Sequence, residues 1–266
     1  RYSMLSPRLG IVHTPQPGSS WFASWTQSSL PQLGAVQADG RLMAPEKGRQ
    51  FEIGWQWHGG RRANLAGAGG SSMAGKPAGD GGDGGDGGDG GDGGMIATVS
   101  LYHLKRRNLA TIDPNSPSFQ VASGERESRG VEFELRGSPR PGTDLTLSLE
   151  ALRARVVSDN SFPGGTRLPG VAPWFLSLWA TQQFHERWVT GLGLVGEGRR
   201  RGGWPPNEQE LPSYLTTDLS LAYHAGNWRA QLILANIFGR RVLVTDGYAG
   251  QFIEPRAVTL SISARL

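Results

Sequence analysis

The sequence predicts an all-β protein, an antiparallel sheet whose strands cross a membrane. Three features of the 266 residues predict it: apolar side chains recur at every second position, no segment carries helical spacing, and short and long links alternate. Strand side chains point alternately to opposite faces, so each run has one oily and one polar face. The runs are about 9 to 11 residues at their clearest, the length a tilted strand needs to cross the hydrocarbon core. The chain's 40 Gly and 17 Pro disfavour helices. No apolar run approaches the roughly 18 residues of a transmembrane helix. Without cysteine there are no disulfides and no thiolate metal sites. A net charge of +4 is too modest to suggest nucleic acid and gives only a slight lean towards an anionic partner such as an acidic ligand.

Eleven strands follow in order: Arg8 to His13, Trp21 to Gln27, Arg49 to His58, Met95 to Lys105, Gly130 to Arg136, Thr143 to Arg153, Trp174 to Phe184, Arg187 to Glu197, Leu215 to Tyr223, Trp228 to Ile237 and Arg256 to Leu266. In the third, Phe51, Ile53, Trp55 and Trp57 alternate with Glu52, Gly54 and Gln56; in the sixth, Leu145, Leu147 and Leu149 alternate with Thr146, Ser148 and Glu150. The last is the cleanest, with Val258, Leu260, Ile262, Ala264 and Leu266 set between Thr259, Ser261, Ser263 and Arg265.

Short links follow the first, fifth, seventh and ninth strands. Long polar links follow the second, fourth, sixth, eighth and tenth: Ser28 to Gly48, Arg106 to Arg129, Ala154 to Pro173, Gly198 to Tyr214 and Phe238 to Pro255. A strict meander puts all short links on one rim and all long ones on the other, as in outer-membrane barrels with short periplasmic turns. A Greek-key sandwich has no reason to keep that asymmetry. The first and eleventh strands run the same way, so those two cannot close the sheet by antiparallel pairing. One link breaks the pattern, residues 59–94, where Asp80, Asp83, Asp86, Asp89 and Asp92 are separated by Gly-Gly. That Asp-Gly tract, with a period of three and no apolar residue, does not match the nine-residue calcium-binding repeat. It reads as a low-complexity insertion.

With the strands placed, several local sequences resemble the C-terminal half of the barrel of TonB-dependent ferric-siderophore receptors. Pro45-Glu-Lys-Gly-Arg-Gln-Phe-Glu-Ile-Gly54 is similar to that family's Pro-Glu-x-x-x-x-aromatic-Glu-x-Gly pattern. Ser6-Pro-Arg-Leu-Gly10, Arg106-Arg107-Asn108, Ser128 to Leu135, Arg167 to Val171, Val195-Gly-Glu197, Asn236-Ile-Phe238 with Arg240-Arg241, and Pro255-Arg256 follow in the family's order. Gly239 and Val242 stand where the family usually has Asp and Tyr, and Leu266 where it usually ends in Phe. The resemblance implies that residues 1–266 are the C-terminal part of a barrel, about half of twenty-two strands, with the plug domain and TonB box absent from this piece. It further implies a Gram-negative outer-membrane location, a ferric siderophore as cargo, TonB as a partner through the plug region, and contact with outer-membrane lipid and lipopolysaccharide.

Transport of this kind needs no covalent catalysis and no resident cofactor. Arg199, Arg200 and Arg201 beside Trp204 are the candidate ligand-binding residues, since guanidinium pairs with carboxylates and an indole face adds stacking. Tyr248, Phe252 and Trp174 fit aromatic girdles. His13, His58, His103, His185 and His224 are scattered without metal-ligand spacing. Glu132, Glu134, Glu150, Asp218, Arg136 and Arg229 fall on the polar faces. Glu132 and Glu134 lie on one side of a strand with no apolar pocket to separate their pKa values, and no nucleophile motif appears. A passive porin-like channel or a secretion barrel shares the architecture. A barrel enzyme fits less well, lacking a catalytic constellation.

Overall fold

A computed structural model describes residues 4–34, 37–60, 94–245 and 249–264. The elements are β1 (Arg8–Gln16), β2 (Ser19–Leu30), β3 (Glu46–Gly60), β4 (Gly94–Ile112), β5 (Gln120–Arg140), β6 (Thr143–Ser158), β7 (Trp174–Phe184), β8 (Trp188–Glu197), β9 (Arg200–Arg201), β10 (Glu210–Leu211), β11 (Tyr214–Ala225), β12 (Trp228–Ala235), β13 (Leu243–Thr245), β14 (Gly250–Phe252) and β15 (Ala257–Ala264). Among the described residues there is no helix. Eleven strands form one sheet in the order β1-β2-β3-β4-β5-β6-β7-β8-β11-β12-β15, each antiparallel to its neighbour. Among the described residues β1 pairs only with β2 and β15 only with β12, so the sheet is open. All eleven expected strands are present. Most of the Gly-Asp segment, Tyr248, Arg265 and Leu266 lie outside the described residues.

The register carries the alternation across the whole sheet. Reading across paired positions, Ile53, Leu101, Val131 and Ala151 share one row, and Leu192, Leu219, Leu234 and Val258 another. Directly paired residues point to the same side, so these rows build one continuous oily face. Among the described residues no second layer covers it: Ile11, Leu260 and Ile262 are 69%, 66% and 63% exposed. An apolar face of this extent left open to water would be an association hazard, and a hydrocarbon surround removes the penalty.

The opposite face is polar, and register places Glu132, Glu134, Glu150, Asp218, Arg136 and Arg229 on it. Aromatics there lie flat over glycines of the next strand. A Cβ on Gly54 would sit 2.2 Å from Phe22 Cζ, and one on Gly193 would sit 2.9 Å from Trp179 Cε3. Only a residue without a side chain admits the ring at such distances.

The rims differ as expected, but strands run further into the long-link side than expected: β6 continues to Ser158, inside the expected Ala154 to Pro173 link. Pro141-Gly142 turns β5 into β6 with Gly142 at φ 74°, the positive angle such a tight turn requires. At the other rim, the stretch from Arg106 to Arg129 is not a loop: β4 runs on to Ile112 and β5 starts at Gln120, leaving only 113–119 as a turn. Backbone pairing continues past the oily band because these residues still alternate. Two other long links carry small hairpins, β9–β10 and β13–β14.

Candidate functional site

Most of the buried apolar side chains among the described residues lie at the long-loop rim. Met43, Leu109, Ala154, Val156, Leu211 and Val242 are each under 9% exposed, and all lie in or beside the long links. A bulge helps to build this mouth. Register shifts around Asn108, whose φ is 61°, so one extra residue is pushed out of β4 and the strand bends. Gln32 clamps the bend: its Nε2 donates to the Ala44 and Asn108 carbonyls at 2.7 and 2.6 Å, and its Oε1 accepts from Ala110 N at 3.0 Å.

The link after β12 turns on Asn236, which is 4% exposed. Its Nδ2 donates to the Arg240 and Glu254 carbonyls at 2.9 and 3.1 Å, and its Oδ1 accepts from Arg240 N at 2.8 Å. Its own N–H donates to Asp218 Oδ1 at 2.6 Å. One side chain thereby satisfies buried backbone groups from both ends of the loop, and its φ of 48° is one that asparagine tolerates.

The four candidate residues all stand on the β8–β11 link, and their situations diverge. Arg200 has a side chain 1% exposed, paired to Glu197 at 2.7 Å; its Nη2 donates to the Leu243 carbonyl at 2.9 Å, and its guanidinium lies 5.4 Å from the Tyr214 ring centroid. It ties the β9–β10 hairpin to the β13 segment. Arg199 and Arg201 are more open and pair with Glu210 and Glu208. Both border a hollow of about 490 Å³ with Arg167 and Leu168. Trp204 stacks on Phe162 with centroids 4.4 Å apart and planes 17° off parallel, and the Arg126 guanidinium carbon lies 5.0 Å from the Trp204 centroid.

That stack joins three elements: Arg126 from the polar face of β5, Phe162 from the β6–β7 link and Trp204 from the β8–β11 link. Arg126 Nε is buried and has no hydrogen-bond partner among the described residues. Asn160 Nδ2 fixes the same link to the β4–β5 hairpin, donating to the Ile112 carbonyl at 2.9 Å and Thr111 Oγ1 at 3.0 Å. Phe162 and Arg126 carried no motif to mark them, and only the fold brings them to Trp204. Trp174 ends an oily row at this rim, and Phe252 on β14 is 70% exposed. Among the described residues, no group of three or more His, Asp or Glu is arranged to hold a metal ion.

The chain is 28% identical over 268 residues to the metal-pseudopaline receptor CntO of Pseudomonas aeruginosa, covering 97% of this chain and 33% of that one. It is 26% identical to the ferrichrome outer membrane transporter/phage receptor of Escherichia coli K12, covering 81% of this chain and 25% of that one. The chain thus spans about a third or less of the length of these curated relatives. In fold it is similar to the siderophore receptor PiuA from Acinetobacter baumannii, with a TM-score of 0.73 at 18% identity over 96% of this chain and 35% of that one. The pyoverdine receptor FpvA from Pseudomonas aeruginosa PAO1 gives 0.74 at 17%, over 98% and 36%. The family profile described as TonB dependent receptor-like, beta-barrel matches residues 1–69 and 84–237, and the chain belongs to that family.

Proposed function

We propose that this chain is wall and outer mouth of a receptor for TonB-dependent uptake of a ferric siderophore or related metal chelate in a Gram-negative outer membrane. One observation carries the reading. At a single rim two loops and the outer part of β5 bring two aromatic rings and a cation together above a polar wall, whose other side is suited to lipid. Residues 1–266 are read as the C-terminal part of the barrel, with 59–94 as an insertion within it. TonB acts through a plug region, and the oily face meets outer-membrane lipid and lipopolysaccharide.

In this reading Trp204, Phe162 and Arg126 receive an anionic, partly aromatic chelate, the guanidinium N–H groups donating to its oxygens. Arg199 and Arg201 exchange a carboxylate of the loop for one of the ligand, while Arg200 holds the hairpin in place. The test is uptake of radioactive iron offered as a panel of chelates, in cells with the gene disrupted and then restored. Restoration of uptake of one chelate, lost again when TonB is removed, is expected. Uptake of every chelate unaffected by disruption sinks the receptor reading, and uptake that persists without TonB favours a passive channel.

A further inference from the structure

The link after β12 is joined to the polar wall at one end and to the hairpin carrying Trp204 at the other. At Asn236 the backbone leaves the extended pattern with φ 48°, although the Ile237 N–H still bonds the Thr217 carbonyl at 2.9 Å. The kink takes the Asn236 N–H out of the strand ladder, and a buried donor needs another acceptor. Asp218 supplies it from β11, with Oδ1 at 2.6 Å in a charge-assisted bond. Register sets Asp218 on the polar face in a row with Trp179 and Gly193. A Cβ on Gly193 would lie 2.9 Å from Trp179 Cε3 and 3.3 Å from Asp218 Cβ, so the indole flanks the aspartate. Among the described residues no Lys or Arg forms an ion pair with Asp218.

From that anchor the connections run outward without a gap. Asn236 closes the base of the β13–β14 segment through Arg240 and the Glu254 carbonyl, and one step further on Ile253 N donates to the Val242 carbonyl at 3.0 Å. The next residue, Leu243, gives its carbonyl to Arg200 Nη2. Arg200 is buried and already engaged by Glu197 and the Tyr214 ring, so its position and that of the β9–β10 hairpin are set together. The turn of that hairpin carries Trp204, stacked on Phe162. Buried polar joints have few alternative partners, so a displacement at one end is passed along instead of being absorbed by water.

We infer that Asp218 is a positioning residue for the chelate stack: from the polar wall it fixes the last long link, and through Leu243 and Arg200 it holds Trp204 against Phe162. Coupling of this kind is reciprocal, so a chelate seated at the mouth tightens the Asp218–Asn236 joint and its arrival is felt on the polar wall. The inference rests on the proposed chelate reading. Its test uses the complete receptor purified from outer membranes in detergent, with the radioactive ferric chelate selected by the uptake panel. Asp218→Ala should weaken binding about fivefold or more. Asp218→Asn, which keeps an acceptor oxygen, should restore most of it, and Ser220→Ala, next along the same face of β11, should change nothing. Arg200→Lys keeps a charge beside Glu197 but loses the fork that reaches Leu243, and should weaken binding by a similar factor. The double variant Asp218→Ala with Arg200→Lys should bind no worse than the weaker single variant. Losses that multiply, or an Asp218→Asn receptor as weak as the alanine one, overturn the inference. A second measurement needs no chelate. This chain has no cysteine, so spin labels placed by Asn207→Cys and Gln251→Cys report the spacing of the two hairpins. Asp218→Ala should broaden that distance distribution in the unliganded receptor, and an unchanged distribution overturns the inference. Broadening in a receptor that binds no chelate would sink the uptake reading and leave the Asp218 joint standing.

Discussion

The wall and the mouth of this molecule obey different physics. In the wall, large apolar side chains such as Val258 and Leu260 are two-thirds exposed, and the polar face beneath them is open. At the mouth, Val156 is fully buried, Asn236 nearly so, and each arginine of the β9–β10 hairpin has a glutamate beside it. The wall is therefore stable only through the medium around it, and the mouth through contacts with itself. Substitutions should report the medium in one region and packing in the other.

The sharpest way to break this comparison is a charge on the oily face. Leu219→Arg or Leu260→Arg should cost about 2 to 4 kcal/mol in a lipid refolding assay, while Ser261→Arg on the polar face costs less than about 1 kcal/mol. Equal costs would deny the difference between faces. At the mouth, Asn236→Ala leaves buried carbonyls without a donor and should cost about 1 to 3 kcal/mol, read in the same assay. Unlike the leucine variants, its cost should hardly vary with bilayer thickness. Trp204→Ala removes a stacked ring and a cation contact worth roughly 1 to 2 kcal/mol, so chelate affinity should fall about five- to thirtyfold with the barrel still assembled. Glu210→Gln, breaking an exposed pair with Arg199, should move stability by less than about 1 kcal/mol in an equilibrium denaturation.

The same contrast governs what could be read from the sequence. Period two is local, so Phe51, Ile53, Leu147 and Leu260 declare their face without knowledge of any neighbour. The full length of β4 and β5 is hidden because charge replaces grease beyond Leu101 and Val131: the reading stops at Lys105 and resumes at Gly130, although Arg107, Glu125, Glu127 and Arg129 keep the alternation. The arginine triplet was visible, and so were Glu197, Glu208 and Glu210 within a few residues. Which carboxylate each guanidinium takes depends on the hairpin's turn, which spacing does not reveal. Phe162 lies in another link and Arg126 on β5, and only the fold brings them to Trp204. Asn236 stood within a family-like Asn-Ile-Phe sequence, and its reason is now plain: it is the hydrogen-bonding hub of the last long link.

The two bare borders of the sheet set an arithmetic on anything that completes it. Because β1 and β15 point the same way, a ring with every seam antiparallel needs an odd complement of extra strands between them. An even complement would force one parallel seam. Parity alone therefore restricts how this wall can be spliced, swapped or redesigned, whatever side chains line the graft.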